Sequence, residues 1–464
     1  MATKQQQKSN VIAIIAMFFL FAMISFVTNL AAPIGTIWGY KFEGNSMLGM
    51  MGNMMNFLAY LFMGIPAGNL LVKIGYKKTA LWAMAIGVIG LFVQWLSSAV
   101  GADTNLFEMT SMVKENGVEV AKTFVVPLNF IIYLLGAFIC GFCVCMLNTV
   151  VNPMLNLLGG GGNKGNQLIQ TGGSLNSLSG TLTPFFVGAL IGALSPSTSM
   201  SQVAPLLWIA MGIFVAAFII ISFVAIPEPN LSKSGKKVKY AHSPWNFRHL
   251  VFGVIGIFFY VGIEIGIPGT LNFYLADQSA NGAGVLGEAS TITGAIVAIY
   301  WLLMLVGRFC SSIISGAVST RAQIITVSTV AILLVIGAIF TPKTVTLPVP
   351  EFIYEGGAQV PVSAFLLVLC GLCTSVMWGG IFNLAVEGLG KYTAQASGIF
   401  MMMVVGGGVM PLIQNYIAGV AGYMTSYWLV VAMLAWILFY GLAGSKNVNT
   451  DIPVDDEAPD ARDL

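Results

Sequence analysis

Charged side chains are scarce in this chain. Asp, Glu, Lys and Arg make up 8% of its 464 residues, whereas 57% of the residues are hydrophobic. Roughly a quarter of the residues in soluble domains are charged, so this composition excludes an ordinary water-soluble fold. Histidine is nearly absent as well, with only His242 and His249, which argues against a histidine-rich metal site.

Two short patterns resemble chemical sites, and neither has the companions that it needs. The six cysteines include two Cys-x-x-Cys pairs, at 140–143 and 370–373, inside apolar runs without nearby histidine or acid. We therefore expect them to be packing residues. The run GGGGNKG, residues 159–165, lacks the Ser or Thr that follows the lysine of a phosphate-binding loop, and no strand precedes it. The sequence predicts no enzyme, no cofactor and no metal site.

Long apolar runs recur along the whole chain. A helix needs about 20 apolar residues to cross a membrane, and the alternating pattern of a membrane β-barrel is missing. The sequence predicts an all-α membrane protein with twelve transmembrane helices. The twelve runs cover roughly residues 11–39, 47–72, 78–100, 126–153, 167–194, 203–226, 248–275, 289–315, 321–341, 361–387, 392–420 and 423–444.

The basic residues predict the orientation in the membrane. If Met1 is cytoplasmic, sixteen of the twenty Lys and Arg residues lie on the cytoplasmic side, and only Lys41, Lys114, Lys122 and Lys343 lie outside. Because cytoplasmic loops carry an excess of Lys and Arg, this asymmetry predicts a multi-pass protein of the cell inner membrane with both termini in the cytoplasm. The net charge of +2 follows from these topology signals and indicates no nucleic-acid partner.

A polar stretch divides the chain into two halves. Residues 227–247 are rich in lysine and form the predicted cytoplasmic linker. Residues 1–226 and 248–444 form the predicted six-helix halves on either side of it. Residues 445–464 are acidic and contain proline, a composition that is typical of a disordered tail.

One carboxylate stands inside an apolar run. Glu264 lies in the segment GIFFYVGIEIGIPGTL, and a charge at membrane depth is costly unless it faces a cavity, a partner or a ligand. Pro268 follows Glu264 by four residues, as Pro33 follows Asn29 in the first helix. Because proline lacks the N–H that would bond the carbonyl four residues earlier, both carbonyls are released. Matching interruptions in two halves point to a central binding site of a transporter.

Several segments resemble one family of transporters. They are CMLNTVVNP (145–153), GIFFYVGIEIG (256–266), MWGGIFNLAVEGLG (377–390) and ASGIFMMMVVGGGVMP (396–411). With these segments and twelve predicted helices, the chain resembles the major facilitator superfamily, and within it the fucose–galactose–glucose permease family, nearer the glucose/galactose permeases. The resemblance implies the major facilitator fold, with two six-helix halves, and a sugar substrate.

Two positions depart from the fucose permeases of that family. Those proteins carry an aspartate and a glutamate at the positions of Asn29 and Asn148, and the two acids form their proton-linked pair. Both residues are amides here and cannot titrate, whereas Glu264 matches a glutamate of the glucose/galactose permeases. The resemblance leaves Glu264 as the ion-coupling residue. It leaves open whether H⁺, Na⁺ or no ion is coupled, since carboxylate and carbonyl oxygens also suit a hard cation.

Amide and aromatic side chains are the candidate substrate ligands. An amide both donates and accepts hydrogen bonds, which matches the hydroxyl groups of a sugar. The predicted substrate-binding residues are Asn29, Asn53, Asn148, Asn176, Glu264, Trp378, Asn383 and Gln414. The predicted gating and loop residues are Gly68, Lys73, Gly75, Lys77 and Arg308, the last in the inner half of the eighth helix. The glycines 406–408 are interpreted either as a hinge or as a close helix contact.

The sequence favours a secondary transporter that imports a hexose-type sugar by alternating access. We expect it to work as a monomer in the lipid bilayer, coupled to H⁺ or Na⁺. A sugar facilitator without ion coupling stays open as an alternative. A carrier of a non-sugar substrate, for efflux or for a cell-wall fragment, also stays open, but it would need a larger apolar cavity and fewer amides.

Overall fold

The structure of the protein is a computed structural model that describes residues 2–42, 46–115, 118–191, 197–228, 240, 242–277, 280–285, 289–349 and 358–454. It is mainly helical, which confirms the predicted all-α membrane class. The helices are α1 (Ala2–Lys41), α2 (Ser46–Gly49), α3 (Met51–Ala99), α4 (Leu128–Leu158), α5 (Gly162–Ile191), α6 (Ala204–Phe223), α7 (Arg248–Ala276), α8 (Ala289–Ile314), α9 (Thr320–Phe340), α10 (Val362–Val386), α11 (Thr393–Met402), α12 (Gly406–Ala421) and α13 (Tyr423–Phe439).

The described helices account for the twelve predicted transmembrane segments. Ten helical spans of the described residues are long and apolar enough to cross a membrane. One of the ten, α3, contains the second and third predicted helices, which meet at Gly75 with a φ of 84°. Another, Gly390–Ala421, is the eleventh and contains both α11 and α12. The fifth predicted helix is α5, which is not among the ten and carries Asn, Gln, Ser and Thr along much of its length.

Two small β-hairpins stand where the sequence analysis expected only helices and loops. Strands β1 (Asn105–Glu115) and β2 (Val118–Pro127) pair antiparallel between α3 and α4. Strands β3 (Thr346–Pro348) and β4 (Gln359–Pro361) pair antiparallel between α9 and α10. Both hairpins lie at the same end of the bundle, which we call the hairpin face. The opposite end, where residues 227–247 join α6 to α7, is the linker face.

The two halves touch most closely toward the linker face. The second predicted helix, in α3, packs against α11 through glycines on both sides. A Cβ atom added at Gly68 would lie 3.0 Å from the Ala394 carbonyl oxygen and 3.0 Å from the Gly398 Cα atom. Only residues without a side chain allow this approach, as in other close helix pairs of membrane proteins. Gly68 is therefore placed at the contact between the halves.

The first part of the predicted tail is folded against the linker face. The Asn449 Oδ1 atom accepts a hydrogen bond from the backbone N–H of Arg248, at the start of α7, with a length of 3.0 Å. The carbonyl of Val454 accepts one from the N–H of Lys391 at 3.2 Å, and Ile452 packs on the hydrophobic core. The expectation of disorder is wrong for residues 445–454, because these contacts order the backbone. Residues 455–464 lie outside the described part of the chain.

Candidate functional site

The predicted lone carboxylate has a charged partner. The Oε1 atom of Glu264, on α7, lies 3.1 Å from the Nη2 atom of Arg308, on α8. The side chains are 14% and 11% exposed, so the ion pair is largely withdrawn from solvent. Of the cavity, partner or ligand that the sequence analysis expected at Glu264, the structure shows a partner, because Arg308 compensates its charge. Such compensation is what a charge at membrane depth requires.

Arg308 also reaches across to the other half of the molecule. Its Nη1 atom donates to the Ser177 Oγ atom at 2.6 Å and, over a longer distance of 3.5 Å, to the carbonyl of Gly173. Both acceptors belong to α5. Arg308 was predicted as a gating or loop residue, and its guanidinium lies between α7 and α5 at the central carboxylate. Its long side chain makes this reach possible, and a linear pattern does not record it.

Aromatic rings surround the ion pair on the α7 side. The Tyr260 hydroxyl lies beside both charges without an aligned hydrogen bond to either. The Tyr260 and Trp378 rings meet edge to face, with centroids 6.2 Å apart. Next to them, the Tyr300 hydroxyl is 3.0 Å from the Thr374 Oγ1 atom. A partly exposed Trp378 ring beside a polar pair is an arrangement that suits a ligand with both C–H faces and hydroxyl groups.

The amides of α4 form a chain that ends on that ring. Asn148 is buried, and its Nδ2 atom donates to the Tyr60 hydroxyl at 2.8 Å. Asn152, one turn later, donates to the Asn148 carbonyl at 2.9 Å. The Oδ1 atom of Asn152 accepts a hydrogen bond from Trp378 Nε1 at 3.1 Å. The predicted substrate residue Asn148 thus lies behind Asn152, which touches the other half directly.

Three further predicted ligands lie in the first half. Asn29 donates to the Ser25 carbonyl and hydroxyl at 2.8 and 3.1 Å. Asn176 of α5 donates to the Phe21 carbonyl at 3.0 Å. Asn29, Asn53 and Asn176 are partly exposed. The amide nitrogens of Asn29 and Asn176 hold helices together or bond their own helix, which is the common use of such residues in membranes.

Two predicted ligands lie away from the ion pair. The Nδ2 atom of Asn383 donates to the Gly162 carbonyl at 3.0 Å, and its Oδ1 atom accepts from Thr320 at 3.2 Å, all at the linker face. In this conformation Asn383 bonds residues at the linker end of α10, and its contact with substrate stays a prediction. Gln414 is fully buried against Gly266 of α7, and neither of its amide atoms has a hydrogen-bond partner among the residues that the structure describes.

The loop residues Gly75 and Lys77 meet a carboxylate from the start of the linker. Glu228 accepts the backbone N–H groups of Tyr76 and Lys77 at 2.6 and 2.9 Å, while Lys77 Nζ donates to the Ser222 carbonyl at 2.7 Å. A Cβ atom at Gly75 would overlap the Glu228 carboxylate. Burial raises the pKa of the Glu228 carboxyl above its usual range, against the opposing effect of the two N–H donors and neighbouring lysines. Lys73 is exposed.

Sequence reasoning missed the residues that join the halves around the ion pair. Ser177, Gly173 and Ser315 are small and unremarkable in a helical pattern, and only their contacts mark them. The described residues hold no group of three or more His, Cys, Asp or Glu that could bind a metal. Two apolar cavities, of about 530 and 690 Å³, lie on the outer side of α6 and touch none of the predicted ligands.

Comparison with known proteins agrees with this architecture. Residues 12–411 match the sequence family Major Facilitator Superfamily. A glucose/galactose transporter of Brucella abortus biovar 1 (strain 9-941) is 28% identical over 448 residues, covering 95% of this chain and 96% of that protein. The L-fucose-proton symporter of Escherichia coli (strain K12) is 21% identical, covering 91% and 90% of the two chains.

A solved structure has the same fold. The crystal structure of FucP, a major facilitator transporter in the outward conformation, superposes with a TM-score of 0.73 and 18% identity, over 93% of this chain and 98% of that one. The family match covers most of the chain, and the helices it spans build the two halves described above. The chain therefore belongs to the Major Facilitator Superfamily.

Proposed function

We propose that this protein carries a hexose-type sugar across the cell inner membrane by alternating access, with both termini in the cytoplasm. The relatives named as glucose/galactose and fucose transporters support the substrate class. The observation that carries the proposal is the Glu264–Arg308 ion pair, which bonds Ser177 of the first half and lies beside Tyr260. The Tyr260 ring in turn contacts the Trp378 ring. With the linker face cytoplasmic, the conformation is closed toward the cytoplasm.

The ion pair is the proposed coupling element. The bond from Arg308 to Glu264 is strongest while the carboxylate is charged, so binding of a proton to Glu264 competes with the salt bridge. A sodium ion at the same oxygens would lie close to a guanidinium, and two like charges at that distance repel strongly in a low-dielectric site. We therefore propose a proton as the coupled ion.

A facilitator is the second candidate, and one observation favours it. Arg308 already neutralises Glu264, and Asn29 and Asn148 are amides, so a closed transport cycle needs no titration at these positions. In that case sugar moves down its own gradient. We further propose that the protein acts as a monomer and catalyses no reaction.

Transport in purified vesicles tests the proposal. Protein reconstituted into liposomes is offered radiolabelled glucose, galactose, fucose and an amino sugar, with an imposed proton gradient, an imposed sodium gradient or neither. We expect accumulation of one hexose above its external concentration only with the proton gradient. Equilibration without accumulation would identify a facilitator, and dependence on sodium would overturn the proton assignment. Absence of uptake and counterflow for every sugar would overturn the substrate class.

Glu264→Gln separates coupling from binding. Because glutamine keeps the size and one acceptor oxygen but cannot release a proton, this variant should lose gradient-driven accumulation and keep counterflow exchange. The exposed acid Glu108, replaced by Gln, serves as a matched control. Full accumulation by Glu264→Gln would contradict the coupling role.

A further inference from the structure

One face of α5 carries the polar contacts to the other half. Five described residues of this helix form hydrogen bonds to α8, to Ser315 directly after it, or to α10, and they are separated by four, four, three and four positions. This spacing puts them on one side of a helix. They are named here the α5 seam: Gly162, Asn166, Gln170, Gly173 and Ser177.

The seam runs from the linker face to the ion pair. At the linker face, Asn383 donates to the Gly162 carbonyl at 3.0 Å. One turn further, Asn166 Nδ2 donates to Ser315 Oγ at 3.2 Å, and another turn on, Gln170 donates to the Val376 carbonyl at 2.9 Å. The last two positions receive Arg308. Each turn of the inner half of α5 is therefore bonded to the other half.

Close packing makes the seam fit. A Cβ atom at Gly379 would lie 2.8 Å from Gln170 Nε2, and one at Gly316 would lie 3.0 Å from Gln167 Oε1. Apart from Arg308, every side chain in the seam and each of its partners is uncharged. A seam of amides, hydroxyls and carbonyls exchanges its partners for water without the large desolvation cost of separating buried ions.

The guanidinium of Arg308 ties the seam to the carboxylate. It is planar, and its two terminal nitrogens are engaged at once: Nη2 with Glu264 on α7 and Nη1 with Ser177 on α5. The contact with Glu264 thus orients the donor that crosses to α5. Loss of the negative charge on Glu264 leaves Nη2 with a neutral and therefore weaker acceptor. The guanidinium is then held less firmly, and the bond from Nη1 to Ser177 loses its orientation.

We propose that the α5 seam is the cytoplasmic gate of the transport cycle, and that Ser177 is the positioning residue through which the Glu264–Arg308 pair keeps the gate closed. The proposal rests on the transport function proposed above and adds how the central site reaches the gate. Neutralisation of Glu264, after the substrate has entered from the hairpin face, loosens the seam at its central end. The remaining bonds then separate toward the linker face.

The experiment measures the gate directly, without transport. Spin labels are placed at Lys73 and Glu387, exposed positions of the two halves at the linker face, in an otherwise cysteine-free protein. Double electron–electron resonance then gives the distance distribution between the halves in lipid nanodiscs. We compare wild type, Glu264→Gln and Ser177→Ala. As a matched control we use Ser179→Ala, since Ser179 lies on the same helix but bonds the Ala22 carbonyl of its own half.

The expected result is a shift to longer distances in Glu264→Gln and Ser177→Ala. Loss of a hydrogen bond to a charged group changes an equilibrium by roughly tenfold or more, so the open population should grow by about that factor. The two changes together should shift it no further than either alone. Ser179→Ala should match wild type. A Ser177→Ala variant with the wild-type distribution would overturn the role of Ser177.

A rescue variant distinguishes a positioning role from a packing role. Ser177→Asp offers Arg308 a carboxylate on α5, so adding it to Glu264→Gln should return the distribution to short distances. Should Glu264→Gln fail to fold, Ser315→Ala tests the part of the seam near the linker face alone. Ser312→Ala, whose hydroxyl bonds its own helix, is the control. Unchanged distances in Ser315→Ala and Ser177→Ala would overturn the seam as the gate. If these variants shift the spin-label distances as expected but no sugar is transported, only the proposed substrate class is overturned.

Discussion

The Nη2 atom of Arg308 lies 3.1 Å from the Oε1 atom of Glu264, while Nη1 of the same guanidinium lies 2.6 Å from Ser177 Oγ. One side chain thus contacts the central carboxylate and the opposite half of the protein. Arg308 neutralises the charge of Glu264 within the second half. The same guanidinium also bonds Ser177 of the first half, so a change at Glu264 affects the interface between the halves. This geometry links the proposed coupling residue to the contact between the halves.

Replacing either Glu264 or Arg308 alone should destabilise the protein more than replacing both residues together. Removing one partner of a buried pair leaves an uncompensated charge and typically costs about 3–5 kcal/mol, whereas replacing both is often neutral. We expect Arg308→Gln to lower the thermal unfolding temperature in detergent more than the double variant Glu264→Gln with Arg308→Gln does. A double variant that is less stable than Arg308→Gln alone would contradict the mutual compensation.

Asn148 should act on the sugar through its neighbours. Its side-chain Nδ2 atom donates to the Tyr60 hydroxyl at 2.8 Å, and its side-chain Oδ1 atom accepts from Asn152 Nδ2 at 3.4 Å. The Oδ1 atom of Asn152 in turn accepts from Trp378 Nε1. Leaving a buried polar group without its partner costs about 1–3 kcal/mol. Asn148→Ala should therefore weaken sugar binding by roughly ten- to a hundredfold, and Tyr60→Phe should weaken it comparably, as measured by calorimetry. Normal affinity in Tyr60→Phe with weak binding in Asn148→Ala would indicate direct contact with the sugar.

The three glycines of the eleventh predicted helix should act chiefly as a packing contact. A Cβ atom at Gly407 would lie 2.6 Å from Val261 Cγ1 and 2.7 Å from Phe57 Cε1, whereas the nearest atom for Gly408 is Phe57 Cβ at 3.4 Å. Gly407→Ala should lower both the unfolding temperature and sugar binding, and Gly408→Ala should stay near wild type. The backbone does deviate just before these glycines, where a 3₁₀ turn at Met403–Val405 separates α11 from α12. Slow transport with normal binding in Gly407→Ala would favour the hinge interpretation.

The linker carboxylate Glu228 should make stability depend on pH. Because burial raises the pKa of Glu228 above the usual 4.5, the folded protein binds this proton more readily than the unfolded chain. The contribution of Glu228 to the free energy of unfolding therefore falls as the pH rises from 4.5 through the raised pKa. The unfolding temperature of wild type minus that of Glu228→Gln should therefore decrease from about pH 4.5 towards pH 7. The same comparison with Glu108→Gln, an exposed acid of β1, corrects for general effects. A difference that grows with pH would mean that the N–H donors of Tyr76 and Lys77 outweigh the burial.

The sequence predicted many of the residues of the candidate site. It did not predict which of them contact one another. Glu264 stood out because a charge in an apolar run is rare, and Trp378 because it lies in a segment that resembles the permease family. Arg308 was predicted as a gating or loop residue, and its contact with Glu264 was not foreseen, since its position near the end of α8 does not indicate how far its side chain extends. Asn383 was grouped with the central amides. It lies more than one helical turn beyond Trp378 on α10, and its side chain bonds Gly162 at the linker face.

The sequence by itself determined the membrane environment, the number of transmembrane segments and the division into two halves. Those properties follow from composition, run length and the position of polar stretches, which are local and additive along the chain. The tertiary structure alone decided which polar groups meet. The α5 seam joins residues that are 131 to 221 positions apart, and the folded tail meets α7 across 201 positions. Contacts of that range depend on how helices pack around one another, because hydrogen bonds form only over about 3 Å.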